Sequence, residues 1–354
     1  TFGLDITSLD GQFDSGRQLN QFEQQVTNGV KAVMLHAPDG GSIRRIAQLA
    51  NENKVWFDNT WGTLAWFTPF EAGDYYTLYA VPEEFSAHGA VTSAICKSVM
   101  DAFGGGKIVG VTGVEGNSTD LIRSRGRDAA LKEFPKIELA GALPGKWNRE
   151  DSQKAMEDLL SRYPDLKGVI AQNDDIADGA IAALRAAGLK PGEDVFVSGA
   201  DGTSLGASMI KKGQLTATSA NVPQYMGAVL TTRLYDVMNG WVPRAPERMM
   251  SWRSVTMTAD NVDGYLERYV DAKDIAPFDY KKMSKVEHPD DWDPQAELFP
   301  MDIDLEWGGI DKPEGWTYPE AYKTARENGE AEAVRKEYAD HYKIDFFGPS
   351  PMKA

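Results

Sequence analysis

From residue 1 to about residue 220 the chain alternates short apolar runs with amphipathic helical patterns. That alternation confines the fold to repeated β-α-β units built on parallel sheets. The strand candidates are Phe2 to Ile6, Ala32 to Leu35, Val55 to Phe57, Lys107 to Thr112, Ile137 to Ala142, Gly168 to Ala171, Val195 to Ser198 and Leu215 to Thr218. Between them, Met156, Leu159, Leu160 and Tyr163 recur at helical spacing before Pro164, and a second helix runs from about Ile176 to Ala187 before Gly188. A long helix, Gln224 to Met238, and a strand-like stretch, Arg253 to Met257, follow. Parallel strands in this number close a barrel or form two open doubly wound sheets, and periodicity does not decide between them.

From Pro277 onward the chain changes character, becoming rich in Asp, Pro and Trp. The aromatics Phe278, Tyr280, Trp292, Phe299, Trp307 and Trp316 argue for an extension wrapped over the core, since a disordered tail carries few such rings. One charged helix is expected between about Pro319 and Tyr338, and a strand from Tyr342 to Phe347. Charge narrows the partners. The 53 acidic and 37 basic residues leave a formal net charge of −16, which repels nucleic acid and anionic lipid. Cys96 is a single cysteine in the helical run Ala90 to Ala102, so no intrachain disulfide forms and a small buried side chain is expected. His36, His88, His288 and His341 are scattered without metal-ligand spacing, and no metal site or cofactor is expected. Gly104-Gly105-Gly106-Lys107 precedes a strand and not a helix, so it reads as a turn and not as a phosphate loop.

Ligand-binding residues in open α/β sheets gather at the carboxyl ends of strands, and three segments place polar residues there. In Val169 to Asp175, one of Asn173, Asp174 and Asp175 suffices to cap the following helix, which leaves others free to face a cleft. In Val197 to Thr203, Asp201 stands between glycines, where a turn role competes with ligand contact. In Gly116 to Arg127, the residues Arg123, Arg125 and Arg127 alternate; residues two apart on a helix face different ways, so a solvated face is expected for two of the three. Trp147-Asn148-Arg149 and Asp58-Asn59-Thr60-Trp61 each set an indole beside polar groups. Amide, carboxylate and guanidinium groups next to aromatic planes suit a sugar, whose hydroxyls take bidentate partners and whose C–H faces stack on rings.

At Ala171-Gln-Asn-Asp, Gly199-Ala-Asp-Gly-Thr and Arg123-Ser-Arg-Gly126 the chain resembles the type I periplasmic sugar-binding proteins, the ribose-binding group in particular, over about residues 1 to 260. The resemblance implies an α/β fold of two doubly wound parallel-sheet lobes joined by a three-stranded hinge, followed by the C-terminal extension. It implies lobes at 1–82 plus 222–250 and at 83–221 plus 251–275, with 276–354 packed on the core. Matched position by position, the ligand-binding residues it implies are Asp58, Asn59, Arg125, Trp147, Asn173, Asp201 and Asn221. Asn59 stands where an arginine is usual, Asn221 where a glutamine is usual, and Ala200 where ribose binders often carry a ring. These departures point toward another pentose, a hexose or a linear sugar alcohol, with Trp56, Trp61 and Trp66 available to rebuild an aromatic wall.

The segment Thr1 to Ile6 looks like the family's second strand, so the first strand-helix unit has no counterpart at its usual place, and Tyr342 to Phe347 is a candidate to fill the gap. The expected function is capture of a monosaccharide or sugar alcohol and its delivery to the membrane permease of an ABC importer, by a monomer in the periplasm. The rival reading is the sugar-sensing effector core of a lac-repressor-type regulator, which needs a helix-turn-helix and a basic surface that this acidic sequence does not display. An enzyme would draw on Asp174, Asp175 and Asp201 as acid and base; no catalytic residue is expected.

Overall fold

An apolar run becomes a strand only where it finds a hydrogen-bonded neighbour, and the computed structural model, which describes residues 2–353, shows which runs do. The strands are β1 (Ala32–Ala37), β2 (Trp56–Trp61), β3 (Tyr76–Pro82), β4 (Gly106–Thr112), β5 (Ile137–Pro144), β6 (Gly168–Ala171), β7 (Phe196–Asp201), β8 (Ala217–Ala220), β9 (Met249–Trp252), β10 (Val255–Met257) and β11 (Leu298–Pro300). They form two open sheets and not a barrel: β1-β2-β3-β9-β11 in one lobe and β10-β8-β7-β6-β4-β5 in the other. Pairing is parallel except for β10 against β8 and β11 against β9. The chain passes between the sheets four times, after β3, after β8, between β9 and β10, and again between β10 and β11, where the extension returns to the five-stranded sheet.

Several sequence expectations are corrected. Phe2 to Ile6 is not a strand; residues 2–11 lie beside no strand and leave Ile6 exposed, while Thr1 is outside the described residues. Conversely, β3 is a strand the periodicity concealed. All seven of its residues are buried, so it shows no alternation of apolar and polar positions. Of the stretch Arg253 to Met257 only Val255–Met257 forms a strand, β10, while Arg253 and Ser254 link it to β9, which ends at Trp252 in the other lobe.

In the six-stranded lobe, helix Asp174–Ala186 lays Ile176, Ala180, Ile181 and Leu184 on Val169 and Val197 of the sheet. In the five-stranded lobe, Phe57 stacks on Tyr76 with 4.3 Å between ring centroids and meets Phe22 edge-on. Each such side chain contributes about 1.5–3 kcal/mol by leaving water. Cys96 is wholly buried beside Ile95, Val99 and Ile108, and burial pushes its thiol up to about 11.

The extension packs on both lobes. Phe278, Trp292 and Leu298 join the cluster around Tyr225 and Trp252, whereas Met301, Ile303, Trp307 and Tyr322 join the one around Phe57. It also supplies β11, which covers the edge of β9 that would otherwise expose its backbone groups. Tyr342 to Phe347 forms no strand and fills no gap in the sheet: Phe346 is buried against Tyr225, Tyr269 and Phe278, and its carbonyl accepts from the Tyr269 hydroxyl at 2.8 Å. The charged helix is two, Glu320–Glu327 and Glu330–His341, because Gly329 takes a left-handed φ of 83° between them.

Candidate functional site

Trp61 at the end of β2 and Asp201 at the end of β7 come from different lobes, yet both meet one guanidinium. It belongs to Arg123, on helix Ser118–Leu131, and is 2% exposed. Its Nε donates to Glu84 Oε2 at 2.8 Å, and its Nη2 to Glu84 Oε1 and to Asp201 Oδ1, each at 2.9 Å. Nη1 donates to the Gln172 carbonyl. The indoles of Trp61 and Trp147 flank the group, with both ring centroids 5.7 Å from its central carbon. Burial disfavours the charge, but Glu84 and Asp201 more than offset this and hold Arg123 protonated. Burial raises the Glu84 carboxyl above its ordinary value even against the pull of Arg123.

Asn221 ties this group to the crossings between lobes. Its Nδ2 lies 3.2 Å from both Glu84 Oε1 and Asp201 Oδ1, its Oδ1 accepts from Ser254 Oγ at 2.6 Å, and its carbonyl accepts from Trp252 Nε1 at 3.1 Å. Gln172 braces the other side, its Oε1 accepting from Gly113 N at 2.9 Å and its Nε2 donating to Ser124 Oγ at 2.9 Å. Gly113 permits the approach of Trp147, since a Cβ there would fall 1.9 Å from the indole. Four non-glycine residues around the cleft hold left-handed backbones: Trp61 (φ 60°), Trp147 (63°), Asp201 (94°) and Val222 (51°). Each costs on the order of 1–3 kcal/mol and persists only where the surroundings dictate it, a pattern that concentrates at ligand sites.

Of the residues expected from sequence, Trp147, Asp201 and Asn221 meet in this cluster, and Asn173 stands beside it, next to Gln172. Asn173 is also a cap, its Oδ1 accepting from Ile176 N at 2.8 Å, while its Nδ2 has no partner among the described residues. Asp58 and Asn59 are wholly buried and, as neighbours on a strand, face opposite sides of the sheet. Asn59 Nδ2 donates to the Gly62 carbonyl at 2.8 Å. Neither Asp58 oxygen has a partner among the described residues, and burial holds that carboxyl well above the usual range.

Arg125 is turned away from the cluster: its Nη1 donates to the Leu305 carbonyl of the extension at 2.9 Å, and it lies over the Phe85 ring. Residues two apart on a helix point to nearly opposite sides, so the same helix that brings Arg123 to Asp201 carries Arg125 outward. The expected solvated face is corrected too, since Arg123 and Arg127, four apart, share the buried side. Sequence reasoning did not single out Arg123, Glu84 or Gln172, whereas Trp61 was among the tryptophans it offered for an aromatic wall. The four-residue spacing of Arg123 and Arg127 was the available signal for the first. Glu84 was hidden because β3, which delivers it, was hidden.

Asp174 serves the frame of the site. Its carboxylate accepts from Thr203 N at 2.7 Å, Thr203 Oγ1 at 2.8 Å and Thr218 Oγ1 at 2.7 Å, tying the starts of two helices to β8. Burial, then the charge of Asp201, pushes this carboxyl up to about 7 against those hydrogen bonds. The folded value lies above the unfolded one. The stability Asp174 contributes is therefore complete below about pH 4 and is lost as pH rises through about 7. In thermal melts, raising the pH from about 5 to about 8 is expected to lower the wild-type midpoint more than that of Asp174→Asn; parallel profiles would show that Asp174 is not the source.

His36, at the end of β1, is solvent-exposed but has enough protein around it that desolvation lowers its pKa below the ordinary value, against the pull of Asp201. Among the described residues no group of three or more His, Cys, Asp or Glu side chains is placed to hold a metal ion. The cluster can thus offer fixed hydrogen-bond donors and acceptors between two aromatic planes, at the junction of two lobes.

Residues 2–240 match the family model described as the periplasmic binding protein domain. The chain is 27% identical over 226 residues to the ribose import binding protein of Salmonella typhimurium, covering 64% of this chain and 72% of that one. It is 29% identical over 260 residues to the xylitol-binding protein of Mycolicibacterium smegmatis, covering 73% and 69%. Among solved structures it is similar to the twin-arginine translocation pathway signal protein from Burkholderia phytofirmans, with a TM-score of 0.70 and 25% identity over 77% of this chain and 85% of that one.

Proposed function

The chain belongs to the periplasmic binding protein domain family, and from that premise we propose that it captures a monosaccharide or sugar alcohol between its lobes and presents it to an ABC importer. The family is one of binding proteins of the periplasm and not of catalysts. The observation that carries the ligand class is the Arg123 cluster: Glu84, Asp201 and Asn221 offer directional polar groups, and Trp61 and Trp147 offer the apolar planes that a pyranose, furanose or polyol presents C–H groups to. Relatives named for ribose and xylitol support the same class.

Because Trp61 and Asp201 come from different lobes, a ligand touching both favours the closed arrangement over the open one. The permease then recognises the closed form, so binding free energy becomes a signal for transport without any bond being made or broken.

The test is a thermal-shift screen of pentoses, hexoses and sugar alcohols, followed by calorimetry on the best ligand. A stabilising sugar without turnover is expected, with Asp201→Ala weakening its binding by about 1.5–3 kcal/mol, the range for hydrogen bonds to charged groups. No shift with any sugar, or release of a reaction product, would overturn the proposal.

A further inference from the structure

The extension does more than cover the sheet edge. Its short helix Ile303–Glu306 packs against helices Glu84–Phe103 and Ser118–Leu131, the two that carry Glu84 and Arg123. The segment is held from both lobes. On one side Arg125 grips the Leu305 carbonyl at 2.9 Å and fits so closely over Gly308 that a Cβ there would lie 2.6 Å from its Nη2. On the other, Trp307 is wholly buried, with its ring 5.5 Å from Trp66 and 6.3 Å from Tyr79. The Tyr79 hydroxyl in turn donates at 3.0 Å to the carbonyl of Trp61, whose indole flanks Arg123.

Between these anchors stands Glu306, more than nine-tenths buried, whose carboxyl makes no hydrogen bond to the described residues and whose oxygens are not fully enclosed. A carboxyl held mostly inside the protein, uncommitted to any internal hydrogen bond yet with its oxygens still reachable, is free to meet a ligand hydroxyl. Ile303 and Trp307, both wholly buried, account for the apolar packing of this segment; Glu306 is buried beside them but brings a carboxyl that apolar packing does not require. We infer that Glu306 is a ligand-recognising residue supplied by the extension, which hydrogen-bonds a hydroxyl of the sugar at the margin of the cleft. The inference rests on the sugar-binding reading above.

The local charges agree with this role. Glu306 faces Glu83 and Glu84 from the start of helix Glu84–Phe103, Arg125 from helix Ser118–Leu131, and Tyr79 from β3. Burial first, then Glu84 and Glu83, push its carboxyl up to about 8 against Arg125. At neutral pH it is therefore protonated and both donates and accepts, as a sugar hydroxyl does.

Calorimetry on the full chain, with the best ligand of the screen, tests the assignment with two variants and a pH series. Glu306→Ala is expected to weaken binding by about tenfold or more. Glu306→Gln keeps a donor and an acceptor and is expected to stay within about threefold of wild type. As pH rises through about 8, wild-type affinity is expected to fall relative to that of Glu306→Gln. Equal affinity for wild type and Glu306→Ala, or identical pH profiles for wild type and Glu306→Gln, would overturn the assignment while leaving sugar binding intact. If Glu306→Ala does not fold, the comparison of wild type with Glu306→Gln decides alone. Silence of the wild type toward every sugar would overturn both readings.

Discussion

Replacing Arg123 by alanine is expected to lower folding stability by about 3–5 kcal/mol and to leave no measurable sugar affinity. The side chain is 2% exposed and neutralises Glu84, which is equally buried, and Asp201, which is one-third exposed. Removing it strands a carboxylate in a medium that cannot solvate it, and that penalty exceeds what the ion pair itself contributes. Binding suffers separately, because Arg123 also sets the spacing of Trp61 and Trp147.

Arg123→Lys separates the two effects. The charge survives, so part of the stability is expected to return, but a single ammonium cannot reproduce two parallel contacts to Glu84 and a third to Asp201. Chemical denaturation and calorimetry on both variants provide the check. Wild-type affinity in Arg123→Ala would remove this residue from the site. Arg125→Ala is the contrast: it removes the contacts with Leu305 and Phe85 and the charge facing Glu306, but no bond to Glu84 or Asp201.

Ending the chain after residue 275 is expected to abolish cooperative folding altogether. Phe278 and Trp307 are wholly buried and Trp292 nearly so, and they belong to the two main cores. Losing any one such ring costs about 3–5 kcal/mol, against a total of about 5–15 kcal/mol for a typical domain. The deletion also bares β9, which loses its antiparallel partner β11, and Tyr225, whose hydroxyl donates to the Pro294 carbonyl at 3.0 Å. An exposed sheet edge of this kind invites association. Calorimetric melting and light scattering would show it; a shortened chain that melts cooperatively within about 5 °C of the full chain would make the extension an ornament.

These expectations depend on features that differ in how far the sequence revealed them. Strands β4 to β8 were legible, because each apolar run is bounded by helix-forming segments and turn residues. The polar groups at the ends of β6 and β7 were legible for the same reason, since strand ends in open sheets are where chemistry gathers. Asn173 and Asp201 follow from that rule, whereas Trp147 and Asn221 were assigned through the family resemblance. Strand β3 was not legible, for a strand buried on both faces has no period to read, and with it went Glu84. Phe2 to Ile6 has the period of a strand yet is none, because pairing is a property of neighbours and not of a segment.

Sequence alone therefore determined the class of fold, the two-sheet architecture implied by its resemblance, and a candidate ligand site at strand ends rich in amides and carboxylates. Only tertiary structure decided which arginine occupies that site. Arg123 and Arg125 are the same residue type two positions apart; helical spacing groups Arg123 with Arg127 but does not say which face meets the cleft, and the orientation of one helix against Glu84, Asp201 and the extension does. The same holds for Glu306, which lies 222 positions beyond Glu84 in the chain. Burial and charge act through space, whereas periodicity reports only on residues a few positions apart.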